Sequence, residues 1–194
     1  MAVETEIKLH LPDLEKFSRA LESVDRVLLS PRHFEDNFVL DYPEGRLRTQ
    51  GCLIRVRRTK DGSILTYKGA AQPSGVFKTR DELEVRLDDG QVALEILHRL
   101  GLRLWFRYQK YRQEYIVPLG KQPGQEVHLA LDETPVGSYA ELEGPEECIR
   151  QVATRLGFAE SKFLRDSYYS LYVRFCNERG MPPGHMLFPD SPTA

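Results

Sequence analysis

Apolar and polar residues alternate in seven segments of the chain. The alternating segments are residues 2–9, 53–58, 63–68, 77–87, 104–117, 127–131 and 138–143. Because successive side chains of a β-strand point to opposite faces, alternation is typical of strands that bury one face. Clusters of Gly, Pro, Asn and Asp separate most of these segments. The pattern therefore predicts an antiparallel sheet with one apolar face.

Four other segments repeat apolar residues at the helical period of about 3.6 residues. They are residues 14–24, 93–100, 149–156 and 164–175. Each predicts an amphipathic helix with one apolar side. From Asn177 onward, Pro and Gly interrupt every periodic pattern. We therefore predict one domain over residues 1–176 and a poorly ordered tail over residues 177–194.

Most of the predicted strands place ionisable residues two positions apart, on the face opposite the apolar one. The first strand has Glu4, Glu6 and Lys8 on one face, with Ile7 and Leu9 on the other. For a single strand, the simplest interpretation is a sheet face covered by water. Four amphipathic helices, however, need an apolar surface to pack against, and the apolar faces of the strands offer it.

A twisted antiparallel sheet of about seven or eight strands tends to close on itself, because closure removes its edges. With the helices outside, closure places the charged face inside a lumen. Such a lumen is stable when its charges compensate one another, are hydrated, or meet a ligand of opposite charge. The alternative is an open sheet whose charged face is simply wet.

The charged residues of the predicted strands carry both signs. Arginine presents a planar fork that matches phosphate oxygens, and hard divalent cations prefer carboxylate oxygens. Both sets together indicate a metal-complexed polyphosphate. The basic candidates for a polyanion are Lys8, Arg55, Arg57, Lys68, Lys78, Arg80, Lys110 and Arg112. The acidic candidates for Mg²⁺ or Mn²⁺ are Glu4, Glu6, Glu82, Glu84, Asp132, Glu141 and Glu143.

Composition narrows the classes of protein further. The chain has 194 residues, with 27 Lys and Arg against 29 Asp and Glu, and its formal net charge is −2. This balance argues against bulk electrostatic binding of nucleic acid. The sequence has three cysteines without a paired motif, and it shows neither a basic leader nor a long apolar run. We therefore expect a cytoplasmic protein without membrane partners.

Five short motifs follow one another along the chain. They are Glu4-x-Glu6-x-Lys8, Leu53-Ile54-Arg55-Val56-Arg57, Leu65-Thr66-Tyr67-Lys68-Gly69, Lys110-Tyr111-Arg112 and Glu141-Leu142-Glu143-Gly144. This ordered set resembles the CYTH superfamily, the triphosphate tunnel metalloenzymes that include class IV adenylate cyclases and thiamine triphosphatases. The resemblance covers roughly residues 2–175.

The resemblance implies an α+β fold, in which an eight-stranded antiparallel closed β tunnel, or barrel, has amphipathic helices packed outside. It also implies that the tunnel binds a triphosphate substrate together with Mg²⁺ or Mn²⁺. The implied metal ligands are Glu4, Glu6, Glu141 and Glu143, with Glu82, Glu84 and Asp132 as further acidic candidates. The implied triphosphate contacts are Lys8, Arg55, Arg57, Lys68, Lys78, Arg80, Lys110 and Arg112. Of these residues, we expect Glu4, Glu6, Lys8 and Arg57 to be catalytic.

Three activities are compatible with such a tunnel. Hydrolysis of a triphosphate needs the fewest special features and ranks first, ahead of cyclisation of ATP to cyclic AMP and pyrophosphate. A non-catalytic module that binds polyphosphate or nucleotide is the third. The sequence contains neither a P-loop nor a Rossmann fingerprint, the motifs that would indicate a bound nucleotide. We expect the aromatic residues Phe38, Tyr67, Phe77 and Trp105 to serve in packing or strand formation. We also expect a homodimer, which would bury part of the apolar helical surface.

Overall fold

The computed structural model describes residues 2–120 and 124–189. Its strands are β1 (Ala2–Leu11), β2 (Val27–Asp41), β3 (Leu53–Thr59), β4 (Gly62–Lys68), β5 (Gln72–Ser74), β6 (Phe77–Leu87), β7 (Arg103–Pro118), β8 (Glu126–Thr134) and β9 (Gly137–Glu143). Its helices are α1 (Leu14–Glu22), α2 (Arg46–Thr49), α3 (Gly90–Arg99), α4 (Glu146–Arg155) and α5 (Tyr168–Glu178), with one 3₁₀ turn at Glu160–Lys162. Within these two ranges, the helices are too short or too polar to cross a membrane.

Eight of the strands form a closed antiparallel barrel. Their order is β1-β9-β8-β7-β2-β3-β4-β6, and β6 then pairs with β1. In this closing pair, Glu4 lies opposite Arg80 and Glu6 lies opposite Lys78. The short β5 adds only a three-residue pairing with β6. The predicted eight-stranded barrel is therefore confirmed, and the alternative of an open sheet is wrong.

Strand β2 is the one barrel strand that the alternation of apolar and polar residues did not predict. It runs for 15 residues and pairs with both β3 and β7. Its register with β7 shifts at three places between Leu28 and Leu40. A register shift changes which residues face inward, so a strand with several shifts loses the simple period of two. Pro31 weakens the strand signal further, because proline donates no hydrogen bond to a neighbouring strand.

The apolar faces of the strands point outward, and the helices cover a large part of them, whereas Val3, Leu83 and Val85 stay exposed. Ile7 of β1 and Leu142 of β9 are fully buried in a cluster with Phe17 of α1 and Ile149 of α4. Burial of each such side chain contributes roughly 1.5–3 kcal/mol to folding. Because side chains alternate along a strand, the charged neighbours of Ile7, among them Glu6 and Lys8, must point into the barrel.

The chain beyond α5 differs from the poorly ordered tail predicted for residues 177–194. Met186 is only 1% exposed, its N–H donates to the Arg107 carbonyl, and the Gln109 N–H donates to the Met186 carbonyl. The pairing of β7 with β8 begins at Tyr111, so the preceding part of β7 has a free edge on that side. The tail pairs with this edge in a parallel bridge. Residues 190–194 lie outside the described residues.

Replacing Met186 by Ala tests this packing. The substitution is expected to lower the free energy of unfolding by about 2–5 kcal/mol, because it removes a buried side chain and leaves a cavity. Met181→Ala is the matched control, since Met181 is 44% exposed, and its effect should stay within about 0.5 kcal/mol. Urea denaturation followed by circular dichroism measures both values. Equal effects for the two variants would mean that the tail does not pack as described.

Candidate active site

The barrel encloses a cavity of about 530 Å³, which is within the range of small-molecule sites. Alternate residues of its strands line the wall, as the pattern of charges predicted. The structure brings all the predicted site residues to this cavity except Asp132. Those that line it are Glu4, Glu6, Lys8, Arg55, Arg57, Lys68, Lys78, Arg80, Glu82, Glu84, Lys110, Arg112, Glu141 and Glu143.

Ion pairs between lysines and carboxylates make these buried charges tolerable. The Lys68 Nζ lies 2.6 Å from a carboxylate oxygen of Glu4 and 2.9 Å from one of Glu82. The Lys78 Nζ donates to Glu6 over 2.8 Å. Removing a charge from water costs several kcal/mol, and close pairing of this kind recovers part of that cost. Much of the lumen is therefore neutralised by its own side chains.

The compensation is uneven, as two shifted pKa values show. Burial and the nearby cations Lys8 and Arg80 lower the pKa of Lys78 to about 8. Burial and a hydrogen bond with Glu4 raise the pKa of Glu82 to about 8. Burial is the larger cause of both shifts, and the neighbouring like charges add to it. The ion pairs of Lys78 with Glu6 and of Glu82 with Lys68 therefore do not fully offset the cost of burial.

Two buried guanidinium groups have a donor without a partner. The Nε atoms of Arg55 and Arg80 are buried and make no hydrogen bond. Arg55 uses its other nitrogens to donate to Tyr108 Oη and Thr66 Oγ1. Among the described residues, Arg80 lines the cavity without an ion pair. A buried donor left unpaired costs about 1–3 kcal/mol, so such donors indicate a missing water or ligand.

Asp132 is the one predicted site residue that does not line the cavity. It is fully buried, does not line the cavity, and accepts hydrogen bonds from Lys110 Nζ at 3.0 Å and from Arg112 Nε at 2.7 Å. The Tyr168 hydroxyl of α5 also donates to it. These donors occupy the carboxylate, which therefore anchors two cations and α5. Asp132 is thus not among the residues that line the cavity, and its role as a metal ligand stays a prediction.

Two ionisable groups at the site were missed in the sequence. Glu35 of β2 is buried 3.4 Å from Arg57 Nη1 and 3.5 Å from Lys110 Nζ. Although burial opposes the shift, Lys110 and Arg112 hold the pKa of Glu35 well below its usual value. It was missed because β2 itself was missed.

The second missed group is His128 of β8, which lines the cavity between two carboxylates. Its Nε2 lies 3.4 Å from Glu114, and its Nδ1 lies 3.9 Å from Glu143. These two nearby carboxylates raise the pKa of His128 to about 9. The imidazole is therefore a further cation of the lumen at neutral pH. The sequence could have indicated His128 as a lumen residue, because it lies on the face of β8 opposite the apolar one.

The carboxylates have the chemistry of a magnesium or manganese site, although they are not gathered into a cage. Among the described residues, no three His, Cys, Asp or Glu side chains form a group that could hold a metal. Glu4 and Glu82 instead meet through a hydrogen bond. Mg²⁺ is commonly bound through one or two carboxylates, with waters and substrate phosphates completing the shell. The donors in the lumen fit that mode of binding.

Residues 2–170 match the CYTH domain. The chain belongs to the CYTH domain family. This CYTH protein is 22% identical over 180 residues to a Methanocaldococcus jannaschii protein named "Putative adenylate cyclase MJ0240", covering 87% of this chain and 98% of that one. The closed barrel and its internal charges thus belong to a triphosphate tunnel family.

Solved structures share the fold. A protein of Vibrio parahaemolyticus described as "a putative adenylate cyclase" superposes with a TM-score of 0.73 at 17% identity, over 87% of this chain and 96% of that one. The Hippeastrum protein HpAC1 superposes with a TM-score of 0.60 at 18% identity, over 93% and 97% of the two chains. At these identities, the likeness concerns the CYTH fold alone.

Replacing Asp132 by Asn tests its anchoring role. The variant should lose about 3–5 kcal/mol of stability, because the buried cations Lys110 and Arg112 lose their compensating charge. Glu133→Gln is the control: Glu133 pairs with Arg32 at the surface, and exposed pairs contribute less than about 1 kcal/mol. Chemical denaturation measures both variants. Unchanged stability together with lost Mn²⁺ binding would instead make Asp132 a metal ligand.

Proposed function

We propose that this CYTH protein hydrolyses a triphosphate that binds inside the barrel, in a reaction that depends on Mg²⁺ or Mn²⁺. The observation that carries the proposal is the pair of buried, unpartnered Nε donors on Arg55 and Arg80. Guanidinium groups form strong charge-assisted hydrogen bonds with phosphate oxygens. A triphosphate supplies acceptors along its whole length, so it can bind the guanidinium groups of both arginines.

The basic residues position the phosphates. Phosphoryl transfer requires mainly alignment and neutralisation of the charge on the phosphate oxygens. Lys8 is already held 3.0 Å from Glu141, and Arg57 is held 3.4 Å from Glu35, so both cations are oriented before substrate binds. The proposed triphosphate contacts are Lys8, Arg55, Arg57, Lys68, Lys78, Arg80, Lys110 and Arg112.

The carboxylates that line the lumen would hold the metal. These are Glu4, Glu6, Glu82, Glu84, Glu141 and Glu143. A bound divalent cation supplies neutralisation of phosphate charge and lowers the pKa of a coordinated water. For the chain itself, we propose that Glu4 accepts a proton from the attacking water. Lys8 and Lys78 lower the pKa of Glu6 to about 2, so Glu6 would serve as a metal ligand rather than as a base. The bond between the terminal phosphorus and its bridging oxygen then breaks, which releases orthophosphate and diphosphate.

Adenylate cyclisation is the second candidate. The names of the Methanocaldococcus and Vibrio proteins favour it. In that reaction the ribose 3′-hydroxyl attacks the α-phosphorus of ATP and pyrophosphate leaves, and the same cationic lumen would serve. HpAC1 is described as a putative adenylyl cyclase with a dominant triphosphatase activity, which supports the order of the two candidates. A homodimer and a cytoplasmic location stay predictions.

A product assay distinguishes these candidates. Purified protein is incubated with Mn²⁺ and, separately, tripolyphosphate, ATP or thiamine triphosphate. We expect orthophosphate without cyclic AMP, because water needs no further positioning group, whereas the ribose hydroxyl does. Cyclic AMP with pyrophosphate would establish the cyclase instead. Binding of a triphosphate without any product would favour the non-catalytic module.

Arg80→Ala tests the phosphate contact. One charge-assisted hydrogen bond contributes about 1.5–3 kcal/mol, so affinity for tripolyphosphate should fall about 10- to 100-fold. Arg86→Ala is the matched control, since Arg86 lies on the same strand, is exposed and does not line the cavity. Isothermal titration calorimetry without metal gives both affinities. Equal losses in the two variants would contradict a specific role for Arg80.

The double substitution Glu4→Gln and Glu6→Gln separates an enzyme from a binding module. Turnover should fall about 100-fold or more. Loss of a side chain that only supports a metal ligand costs about 10- to 100-fold in activity, and loss of two ligands should cost at least as much. Mn²⁺ binding measured by electron paramagnetic resonance should weaken in parallel. Because the buried cations Lys68 and Lys78 lose their paired charges, the double variant should also be less stable, and circular dichroism checks that it is folded in the assay. Glu15→Gln on the exposed side of α1 is the control. Unchanged Mn²⁺ binding and turnover would exclude both residues from the metal site.

A further inference from the structure

The pair of strands that closes the barrel leaves part of β6 without a neighbour. Strand β1 pairs with residues 78–82 of β6, whereas β4 pairs with residues 82–87 on the other side. Among the described residues, positions 83–87 therefore have no partner strand on the β1 side. We call residues 83–87 the open edge of β6. The backbone N–H and C=O groups on that side are available to another strand.

The open edge is exposed on both of its faces. Leu83 and Val85, on the outward apolar face, are 51% and 54% exposed. Glu84 and Arg86, on the opposite face, are exposed as well. Apolar side chains beside an unpaired strand edge are typical of a surface that contacts another chain.

The exposed apolar surface continues on α3, which begins three residues after β6 ends. This helix packs on β3 and β4. On its outer side, Val92 and Ile96 are both 54% exposed, and because they lie four residues apart they form one ridge. Single exposed apolar residues are normal, whereas several on neighbouring elements mark a contact with another protein.

The order of charges on the open edge indicates which strand fits there. Two copies of one segment can pair antiparallel about a two-fold axis, and residues of the same face then lie opposite each other. When the pairing is centred on Val85, Glu84 lies opposite Arg86 of the second copy. Leu83 then lies opposite Leu87 of the second copy. Centred on Glu84 or on Arg86, the pairing would instead place a like charge opposite itself, which is destabilising.

This order of charges differs from a pattern that prevents pairing. Charged residues at a strand edge often keep other strands away. Like charges serve that purpose best, because they repel in every register. Glu84 and Arg86 have opposite signs, and each finds its complement in a second copy. Pairing also removes Leu83 and Val85 of both copies from water, which adds to the attraction.

We propose that two copies of this protein form a homodimer through the open edge, with their β6 strands antiparallel and Val85 at the two-fold axis. The two barrels then share one continuous sheet, and the exposed apolar residues of β6 meet on one side of it. The dimer does not depend on which reaction the barrel catalyses, because only the pairing and the charges of the edge are involved.

Sedimentation velocity of the full chain tests the dimer. The wild-type protein is expected to have the mass of two chains at micromolar concentration. Arg86→Glu places carboxylates opposite each other in both charge pairs, so the dissociation constant should rise at least about tenfold. Arg155→Glu is the matched control, because Arg155 is exposed at the end of α4 and makes the same change of charge outside the open edge. It should leave the mass unchanged.

A charge swap tests the register. Glu84→Arg alone should also weaken the dimer, because it places like charges opposite each other. Mixed with Arg86→Glu, it restores opposite charges in both pairs, so the two variants should form a mixed dimer. Glu84 lies 3.5 Å from Arg55 inside the same chain, so circular dichroism must first show that Glu84→Arg is folded.

Val85→Cys gives an independent test that changes no charge. In the proposed register the two substituted positions face each other, at a Cα distance of about 4.5–5.5 Å that a disulfide can span. Mild oxidation should link most chains into a covalent dimer on a non-reducing gel. Leu28→Cys is the control, since Leu28 is 52% exposed on β2, and it should link much more slowly. The wild-type protein, with its three native cysteines, gives the background.

Two results would overturn the proposal. One is a wild-type protein that sediments as a single chain at every concentration tested. The other is a dimer that withstands Arg86→Glu and is not linked through Val85→Cys, because the contact would then lie elsewhere on the surface. None of these measurements uses a triphosphate, so a failure of the proposed function would leave their outcome unchanged.

Discussion

Charges placed inside a closed barrel must be compensated, and this constraint shapes the rest of the molecule. The outward faces of the strands are used for the hydrophobic core with the helices, so ionisable side chains fill the inside. Lys68 between Glu4 and Glu82 shows how the protein meets part of the electrostatic cost by pairing opposite charges at close range. Part of this electrostatic cost is not recovered, because the Nε donors of Arg55 and Arg80 have no partner. We propose that phosphate oxygens compensate what the fold leaves unpaired.

The same constraint explains why elements outside the barrel matter to the site. Asp132 holds Lys110 and Arg112 in place and ties them to Tyr168, the first residue of α5. Leu164, which precedes α5, pairs with Lys8 through two backbone hydrogen bonds. The C-terminal helix and the residue before it therefore support Lys110, Arg112 and strand β1. The charged lining of the cavity and the packing of α5 depend on one connected set of buried contacts.

The residues inside the barrel could be predicted well because a β-strand alternates strictly. Once Ile7 must be buried, Glu6 and Lys8 must face the other way, and the same reasoning applied to six more strands. Strand β2 could not be found because its register shifts disrupt the alternation, and Glu35 was lost with it. Asp132 lies on the predicted face, but sequence alone cannot show that Lys110, Arg112 and Tyr168 occupy its oxygens. Trp105 and the pairing of Met186 depend on tertiary contacts that no local pattern encodes.

We propose that the charged lumen, rather than an outer surface, binds the triphosphate. A crystal structure of the protein with tripolyphosphate and Mn²⁺ would show which of the two holds it. Phosphate oxygens should lie inside the barrel, within hydrogen-bonding distance of the guanidinium groups of both Arg55 and Arg80. Tripolyphosphate bound only outside the barrel, with no phosphate near either guanidinium group, would refute the proposal.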